Sequence, residues 1–365
     1  MSLVPLPPQP AQTPWPTKGW PEGELPKGIG NTAFQSLIDE AFKPGGSDWI
    51  GVTQSLVIVQ GGRLLFERYI EGKGPDDTYQ SWSMAKSITQ ALVGFLVADG
   101  KIDIHAPADV PEWRGAGDPR GAITLDHLLR MSSGLKFNEE YDPQNPSDVI
   151  EMLWGRGKDD VAAFAAGFPL AHAPGSHWYY SSGTTNIVAR AAARAANRFG
   201  PDFKAFMHER LFDPLGMTTP IPKFDTAGTF IGSSFCFTSA RDFAKFGLLY
   251  LRGGIWEGRQ LLPASWVDYA RTPTWQQPVE DGPYGAHWWI GMGGPGSFSC
   301  NGHEGQYIVC VPTAPLLPKG ASHGILPGRM PMTGVSTRFP AQRKDAGVIA
   351  GGIAPLVGAA LLAAT

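Results

Sequence analysis

A serine and a lysine three residues apart are the side chains of this sequence best placed to do chemistry together. They are Ser83 and Lys86. On a helix this spacing places both on one face, about 5–6 Å apart at Cβ. A serine hydroxyl becomes a nucleophile when a neighbouring base takes its proton, and a lysine amine can act as that base only when it is neutral. Burial and the positive end of a helix dipole both favour the neutral amine. The pattern therefore predicts nucleophilic catalysis by Ser83 with Lys86 as base.

Other short patterns compete with this interpretation. Ser83 could cap an ordinary helix with Lys86 in solvent. Residues 133–136 repeat the serine–lysine spacing, but Gly134 favours a loop there. Residues 320–324 match the G-x-S-x-G elbow of α/β-hydrolases, yet no histidine follows them to complete a triad. His208-Glu209 begins like a zinc-peptidase helix, but Phe212 stands where the second histidine belongs, so no metal site is expected.

Hydrophobic periodicity indicates the elements that must position Ser83 and Lys86. Residues 54–60 and 63–69 flank Gly61-Gly62 and predict a β-hairpin. From Ser83 to Gly100, apolar residues recur every three or four positions, which predicts a long buried helix. Further helices are predicted at 124–131, 184–197, 201–212 and 240–251, and late strands at 286–292 and 306–312. This order predicts a lobe built from both chain ends around a helical insertion.

Composition narrows the classes of protein. The 365 residues include 30 basic and 33 acidic side chains, a net charge of −3, so binding to nucleic acid through bulk charge is not expected. With 42% hydrophobic and 17% charged residues the chain can bury a sizeable core. Cys236, Cys300 and Cys310 are too few for a disulfide framework and lack metal-site spacing. They are expected to be buried and reduced, and the predicted location is cytoplasmic.

Both termini differ in composition from the rest. Residues 1–27 are Pro-rich, have no apolar run of the length that a secretion signal needs, and are expected to form an extended arm on the surface. Residues 346–365 carry no charge and are long enough to span a bilayer. Their glycines and Pro355 make a poor spanning helix, so a packed or frayed terminal segment is favoured over a membrane anchor.

Three further motifs follow Ser83 and Lys86. They are Leu-Leu-Arg-Met-Ser-Ser-Gly-Leu at 128–135, Tyr-Tyr-Ser-Ser-Gly at 179–183, and Gly-His-Glu-Gly-Gln at 302–306. With these motifs in this order, the chain resembles the serine β-lactamase and penicillin-recognising superfamily over roughly residues 50–312. It is most similar to the branch of class C β-lactamases, family VIII carboxylesterases and 6-aminohexanoate-dimer hydrolases. The resemblance implies an α+β fold, in which an antiparallel sheet flanked by helices is joined by a mostly helical lobe at roughly 105–220. It also implies a single hydrolase domain over 28–345, and no metal or organic cofactor.

The resemblance also implies roles for individual residues. Ser83 takes the place of the acylated nucleophile, Lys86 that of its proton acceptor, and Tyr180 that of the tyrosine that passes the proton to the leaving group. Backbone N–H groups of Ser83 and Gln306 would form an oxyanion hole, in which each donor contributes about 3–4 kcal/mol. Gly305 would let a strand approach the substrate closely.

Several positions depart from the family pattern and shift the expected substrate. Ser182 stands where the family often has an asparagine that bonds a substrate amide. His303 replaces the lysine that holds a β-lactam carboxylate, and Glu304 adds a negative charge. Small or medium neutral esters are therefore the predicted substrates, with linear amides next and β-lactams third. A D-amino-acid peptidase and a catalytically silent binding or sensor protein remain alternatives.

Two further expectations concern the surroundings of the site. The family places an apolar strand soon after the third motif, but residues 313–318 are interrupted by proline and no clean strand is predicted after them. Aromatic residues that could line the substrate pocket, or simply pack in the core, are Tyr141, Trp154, Trp288 and Trp289.

Overall fold

The computed structural model describes residues 3–7, 12–25, 32–48, 50–141, 146–274, 283–312 and 333–339. Its α-helices are α1 Thr32–Ala41, α2 Met84–Ala98, α3 Leu125–Leu129, α4 Asp148–Trp154, α5 Val161–Ala166, α6 Ser182–Ala196, α7 Pro201–Met207, α8 Ala240–Leu251 and α9 Ala264–Ala270. Its strands are β1 Val52–Gln60, β2 Arg63–Tyr69, β3 Thr78–Tyr79, β4 Ile221–Pro222, β5 Cys236–Ser239, β6 Ile255–Trp256, β7 Arg259–Gln260, β8 Trp289–Ile290, β9 Phe298–Gly302, β10 Gln306–Cys310 and β11 Thr333–Phe339.

The main sheet joins the two ends of the described chain. Its strand order is β2-β1-β11-β10-β9-β8, and every neighbouring pair is antiparallel. The predicted hairpin is present as β1 and β2, turning at Gly61 and Gly62, both with positive φ. The predicted α+β class, with N-terminal and C-terminal strands in one sheet, is confirmed.

One expectation about this sheet is wrong. The sequence predicted no clean strand after residue 312, but β11 lies between β1 and β10 and pairs with both. Its Thr-Gly-Val-Ser-Thr-Arg-Phe sequence contains the β-branched residues that suit a strand. The strand was missed because it follows β10 after a long connection, whereas hairpin signals identify only strands that a short turn joins.

Strand β1 is buried on both faces of the sheet. Its successive side chains point to opposite sides, and both sets are buried. Leu56 and Ile58 pack with Phe34 and Ile38 of α1 on one face. Val57 and Val59 belong to the larger core on the other face, which also contains buried residues of α2 and α8. This two-sided burial explains why β1 reads as an apolar run and not as an alternating strand.

Helix α2 is buried along nearly its whole length. Buried residues run from Met84 to Leu96 without interruption, and they include Lys86 and Gln90. The predicted long buried helix is therefore confirmed, and Gly100 follows its end with φ 68°. A helix that is buried all round must pair each polar side chain internally.

The described elements between residues 111 and 212 are all helical. The helix predicted from 184 begins earlier, at Ser182, because the Ser181 hydroxyl accepts a hydrogen bond from Thr184 N and caps it. The helix predicted over 201–212 is α7 followed by a π-helical stretch, His208–Phe212. The strand predicted at 286–292 is shortened to β8. The boundaries of the predicted arm, domain and tail stay predictions.

Described parts of the N-terminal segment contact the folded chain. Trp15 lies 5.3 Å from Trp256 between ring centroids, and its ring is covered by the Arg252 guanidinium group at 4.0 Å. Thr17 Oγ1 accepts a 2.8 Å hydrogen bond from Trp256 Nε1. These contacts attach residues 12–25 to the start of the β6–β7 hairpin.

Two expectations from composition can be compared with the described residues. Cys236, Cys300 and Cys310 are buried and carry free thiols, and burial raises the pKa of each. None of the helices in the described ranges combines the length and apolarity that a bilayer span requires. The apolar segment 346–365 lies outside these ranges.

Candidate active site

The turn before α2 places Ser83 at the N-cap, directly before the first residue of the helix. Trp82 has φ 44°, in the left-handed region that a bulky side chain rarely adopts, and Met84 N donates to Ser81 O at 3.1 Å. Ser83 itself has helical angles, φ −63° and ψ −7°. Strained backbone of this kind persists where the surroundings hold it, and it concentrates at functional sites.

The Lys86 amine is buried and fully hydrogen-bonded. Its Nζ lies 3.0 Å from Ser83 Oγ, 2.9 Å from Ser182 Oγ and 3.1 Å from the Ser233 carbonyl oxygen. Lys86 is 1% exposed. Burial lowers its pKa to about 8 because desolvation penalises the ammonium form, while the nearby Glu139 carboxylate acts in the opposite direction. A lysine in this state can exchange a proton with Ser83 near neutral pH.

Tyr180 completes the group of polar side chains around Ser83. Its side chain is hydrogen-bonded to Ser83, and burial raises the pKa of its phenol well above the usual value. A hydrogen bond donated by the Tyr180 hydroxyl to the neutral Lys86 amine would be a further way to lower the lysine pKa. Instead, Lys86 Nζ lies 4.8 Å from the ring centroid and contacts the ring. Desolvation is the cause that lowers the lysine pKa.

Ser182 faces Lys86 and is 2% exposed. Its hydroxyl accepts a hydrogen bond from Lys86 and donates one of 2.5 Å to Glu139 Oε1, while its backbone N–H donates to Glu139 Oε2 at 2.7 Å. The sequence assigned Ser182 to substrate binding, which stays a prediction, and the structure places its hydroxyl between Lys86 and Glu139.

Sequence reasoning missed Glu139. It lies 43 positions before Ser182, in a loop with no periodicity, next to the equally acidic Glu140. Burial raises the pKa of the Glu139 carboxyl group, and Lys86 and the two Ser182 donors oppose that rise. No local pattern distinguishes Glu139 from Glu140, because its importance depends on a tertiary contact.

The third motif forms the turn between β9 and β10. The resemblance to the β-lactamase superfamily also implies that the third motif lies on a strand at the edge of the site, but His303–Gly305 is a short 3₁₀ turn, and the strand begins at Gln306. Glu304 and Gly305 have φ 60° and 75°, so the tight turn needs left-handed backbone at both. The need for glycine at 305 is therefore conformational.

This turn is held directly against the turn that carries Ser83. A Cβ atom on Gly302 would lie 2.5 Å from the Ser81 carbonyl oxygen. Gly302 pairs with Gln306 across the hairpin. The glycine therefore allows the start of β10 to lie beside the start of α2, as an oxyanion hole built from both requires.

Aromatic side chains form a continuous surface beside Ser83, which we call the aromatic ridge. It consists of Trp82, Tyr141, Trp154, Phe235 and His303. The Tyr141 ring stacks on His303 at 5.3 Å, and the Trp82 ring meets the His303, Phe235 and Trp154 rings at 5.5, 6.1 and 6.2 Å. Tyr141 and Trp154 are 48% and 51% exposed. Exposed apolar surface of this kind is typical of a binding site.

The other aromatic residues predicted as pocket walls have different surroundings. Trp289 lies 5.5 Å from Tyr180 between ring centroids and so borders the site. Trp288 is fully buried among Phe246, Tyr250 and Phe298, and belongs to the core.

The competing motifs gain no support from the described residues. Residues 133–136 form a loop with Lys136 exposed, and His208 bonds to Asp213 through Nδ1 at 3.0 Å. Within the described part of the chain, no group of three or more His, Cys, Asp or Glu side chains could hold a metal ion. The segment 320–324 lies outside the described residues.

Comparison with known proteins identifies a family model and several similar proteins. The sequence model of the family described as Beta-lactamase matches residues 34–317. A 6-aminohexanoate-dimer hydrolase of Paenarthrobacter ureafaciens is 25% identical over 71% of this chain and 70% of its own length. Esterase EstB of Burkholderia gladioli is 31% identical over 39% of this chain and 38% of its own length. A solved structure from Bacillus anthracis, provisionally named as a 6-aminohexanoate-dimer hydrolase, has a TM-score of 0.70 at 20% identity, over 93% of this chain and 87% of that one.

Proposed function

The chain belongs to the Beta-lactamase family, and on that premise we propose that it is a serine hydrolase that cleaves small or medium neutral carboxylic esters through an acyl-Ser83 intermediate. The observation that carries the proposal is the 3.0 Å contact between Ser83 Oγ and the buried amine of Lys86. A buried lysine with a lowered pKa is the kind of base that a serine nucleophile requires.

In the proposed reaction, neutral Lys86 takes the Ser83 proton as Oγ attacks the ester carbonyl carbon. The carbonyl oxygen gains negative charge, which the backbone N–H groups of Ser83 and Gln306 stabilise. As the C–O bond breaks, Tyr180, bonded to Ser83, gives its proton to the leaving alkoxide and takes up the proton held by Lys86, so the amine is neutral again. Water then attacks the acyl-serine ester, Lys86 accepts its proton, and Ser83 regains a proton as the acid product leaves.

The surroundings of Ser83 support a neutral substrate. The aromatic ridge offers apolar contact area, and Glu304, whose Oε2 accepts a 3.0 Å hydrogen bond from Trp82 Nε1, adds negative charge near the third motif. Neither feature suits the carboxylate of a penicillin. The names of the similar proteins, an esterase and a dimer hydrolase, support esters first and linear amides second.

A parallel assay tests the proposal. Purified protein should hydrolyse p-nitrophenyl butyrate with a kcat/KM at least about a hundredfold above that for benzylpenicillin, and a linear aminohexanoate dimer should fall between them. Equal efficiencies for the ester and the penicillin would contradict the substrate assignment. Ser83→Ala should abolish ester hydrolysis, whereas Ser133→Ala, in the repeated serine–lysine pattern, should retain it.

A second set of variants tests whether the aromatic ridge binds the substrate. Trp154→Ala should raise KM for p-nitrophenyl esters, because it removes exposed aromatic surface, and should leave kcat nearly unchanged. Phe199→Ala, which alters an exposed aromatic residue away from the ridge, is the control. The cytoplasmic location expected from the sequence stays a prediction.

A further inference from the structure

We propose that Glu139, acting through Ser182, is a positioning residue of this site: it holds the Lys86 amine beside Ser83 and stabilises the charged form of that amine. The inference rests on the proposed function, because it assigns the residue that controls the base. It concerns a carboxylate that lies outside every motif identified in the sequence.

The hydrogen bonds around Ser182 support the proposal that Glu139 positions the Lys86 amine. A serine hydroxyl has a single hydrogen, so Ser182 Oγ can accept from Lys86 only if that hydrogen points elsewhere. Glu139 Oε1 accepts it at 2.5 Å, and Oε2 accepts the Ser182 backbone N–H at 2.7 Å. The carboxylate therefore fixes both the hydroxyl rotor and the first turn of α6. Because Ser182 Oγ and the Ser233 carbonyl oxygen accept two amine hydrogens, the lone pair of the neutral amine is left to face Ser83 Oγ.

The charge of Glu139 supports the second statement of the proposal, that this residue stabilises the charged form of the Lys86 amine. The titratable groups that face Lys86 in the described chain are Glu139, Tyr180 and His287. Tyr180 keeps its proton because burial raises its pKa, and burial lowers the pKa of His287 to about 3, so both are neutral near pH 7. Both Glu139 oxygens accept hydrogen bonds, and the attraction of this carboxylate favours the ammonium form of Lys86. Glu139 orients the base and, by the same contact, opposes loss of its proton.

Glu139→Gln tests both parts in the full-length protein. Loss of the negative charge should move the acidic limb of the pH profile of kcat/KM to lower pH. The imperfect hydrogen bonds of the glutamine should also lower kcat about tenfold, with KM little changed. Glu140→Gln, an exposed neighbour of the same charge, should change neither quantity. A merely structural role for Glu139 would lower the amount of folded protein without moving the limb. An unchanged limb, or one moved to higher pH, would overturn the proposal.

Two further measurements keep this inference separate from the proposed function. Ser182→Ala removes the hydroxyl that connects Glu139 to Lys86 but leaves the carboxylate in place. The kcat should therefore fall, and the acidic limb of the pH profile should shift less than in Glu139→Gln. Wild-type kcat in this variant would overturn the positioning role. An NMR titration of the Lys86 side chain in wild type and Glu139→Gln reads the same shift without turnover. If wild type lacked esterase activity the proposed function would fail, while an unchanged Lys86 titration would refute only the role of Glu139.

Discussion

At the scale of single residues, the proposed catalysis depends on where one proton resides. Lys86 Nζ can serve Ser83 only when it is neutral, and its burial lowers the pKa to about 8. Ser83 and Lys86 were predicted from the sequence because their spacing is a local signal, and Tyr180 was predicted through the family resemblance. Glu139 and the supporting role of Ser182 were not, because each depends on a contact between a loop and a helix 43 residues apart.

The first prediction follows from the charge of the base. Lys86→Arg should lower kcat/KM for p-nitrophenyl butyrate by about 10²–10⁴-fold, because a guanidinium group stays protonated and cannot accept the Ser83 proton. Circular dichroism should confirm that the variant folds. Lys136→Arg, an exposed lysine of the repeated pattern, should keep full activity. Wild-type turnover in Lys86→Arg would mean that another group is the base.

The second prediction concerns pH. Below the pKa of about 8 the amine carries a proton and cannot act as base, so kcat/KM should rise with pH and level off above that value. At pH 7 about a tenth of the enzyme would hold neutral lysine. A pH profile of p-nitrophenyl butyrate hydrolysis from 5 to 10 checks this. An acidic limb near pH 6, or a rate that does not depend on pH, would contradict the assignment of the limb to Lys86.

At the scale of elements, the site exists because the β9–β10 hairpin packs on the start of α2. Buried apolar runs and glycine turns predicted β1, β2, α2 and α8 from the sequence. The same signals predicted a strand from residue 306, where β10 begins, but they did not reveal that the chain turns tightly at 303–305, which the family resemblance had placed on a strand. They also overextended the strand at 286–292, where tertiary packing leaves only β8.

The third prediction tests this contact. Gly302→Ala places a Cβ atom where the Ser81 carbonyl oxygen lies 2.5 Å away, and backbone must move to relieve the overlap. Because the movement separates Gln306 from Ser83, kcat should fall at least about tenfold, with a smaller change in KM. Gly74→Ala, at a glycine with open space around the added atom, should be neutral in the same assay. Equal kcat values in the two variants would rule out a role for this close approach.

At the scale of the whole molecule, segments near both ends of the described chain pack on the rest of the fold. β11 lies between β1 and β10, and the N-terminal segment packs on β6 through Trp15. The antiparallel sheet and the helical region were predictable from element order. The insertion of β11 was not, because strand order within a sheet is set by long-range pairing and leaves no periodic signal along the chain.

The fourth prediction concerns that N-terminal contact. Trp15→Ala removes packing against Trp256 and the cation–π contact with Arg252, which should lower the free energy of unfolding by about 2–3 kcal/mol. Chemical denaturation measures the change. Specific activity at 25 °C should stay near that of wild type, because Trp15 is not among the residues around Ser83. An unchanged denaturation midpoint would show that the segment does not stabilise the fold.

The central claim is that Ser83 forms the covalent intermediate, and active-site labelling tests it most directly. After reaction with a fluorophosphonate, mass spectrometry of the digested protein should place one adduct on the peptide that contains Ser83. Labelling should be lost in Ser83→Ala and should slow below pH 8, as the Lys86 amine becomes protonated. An adduct on Ser322 or Ser133, with Ser83 unmodified, would contradict the account.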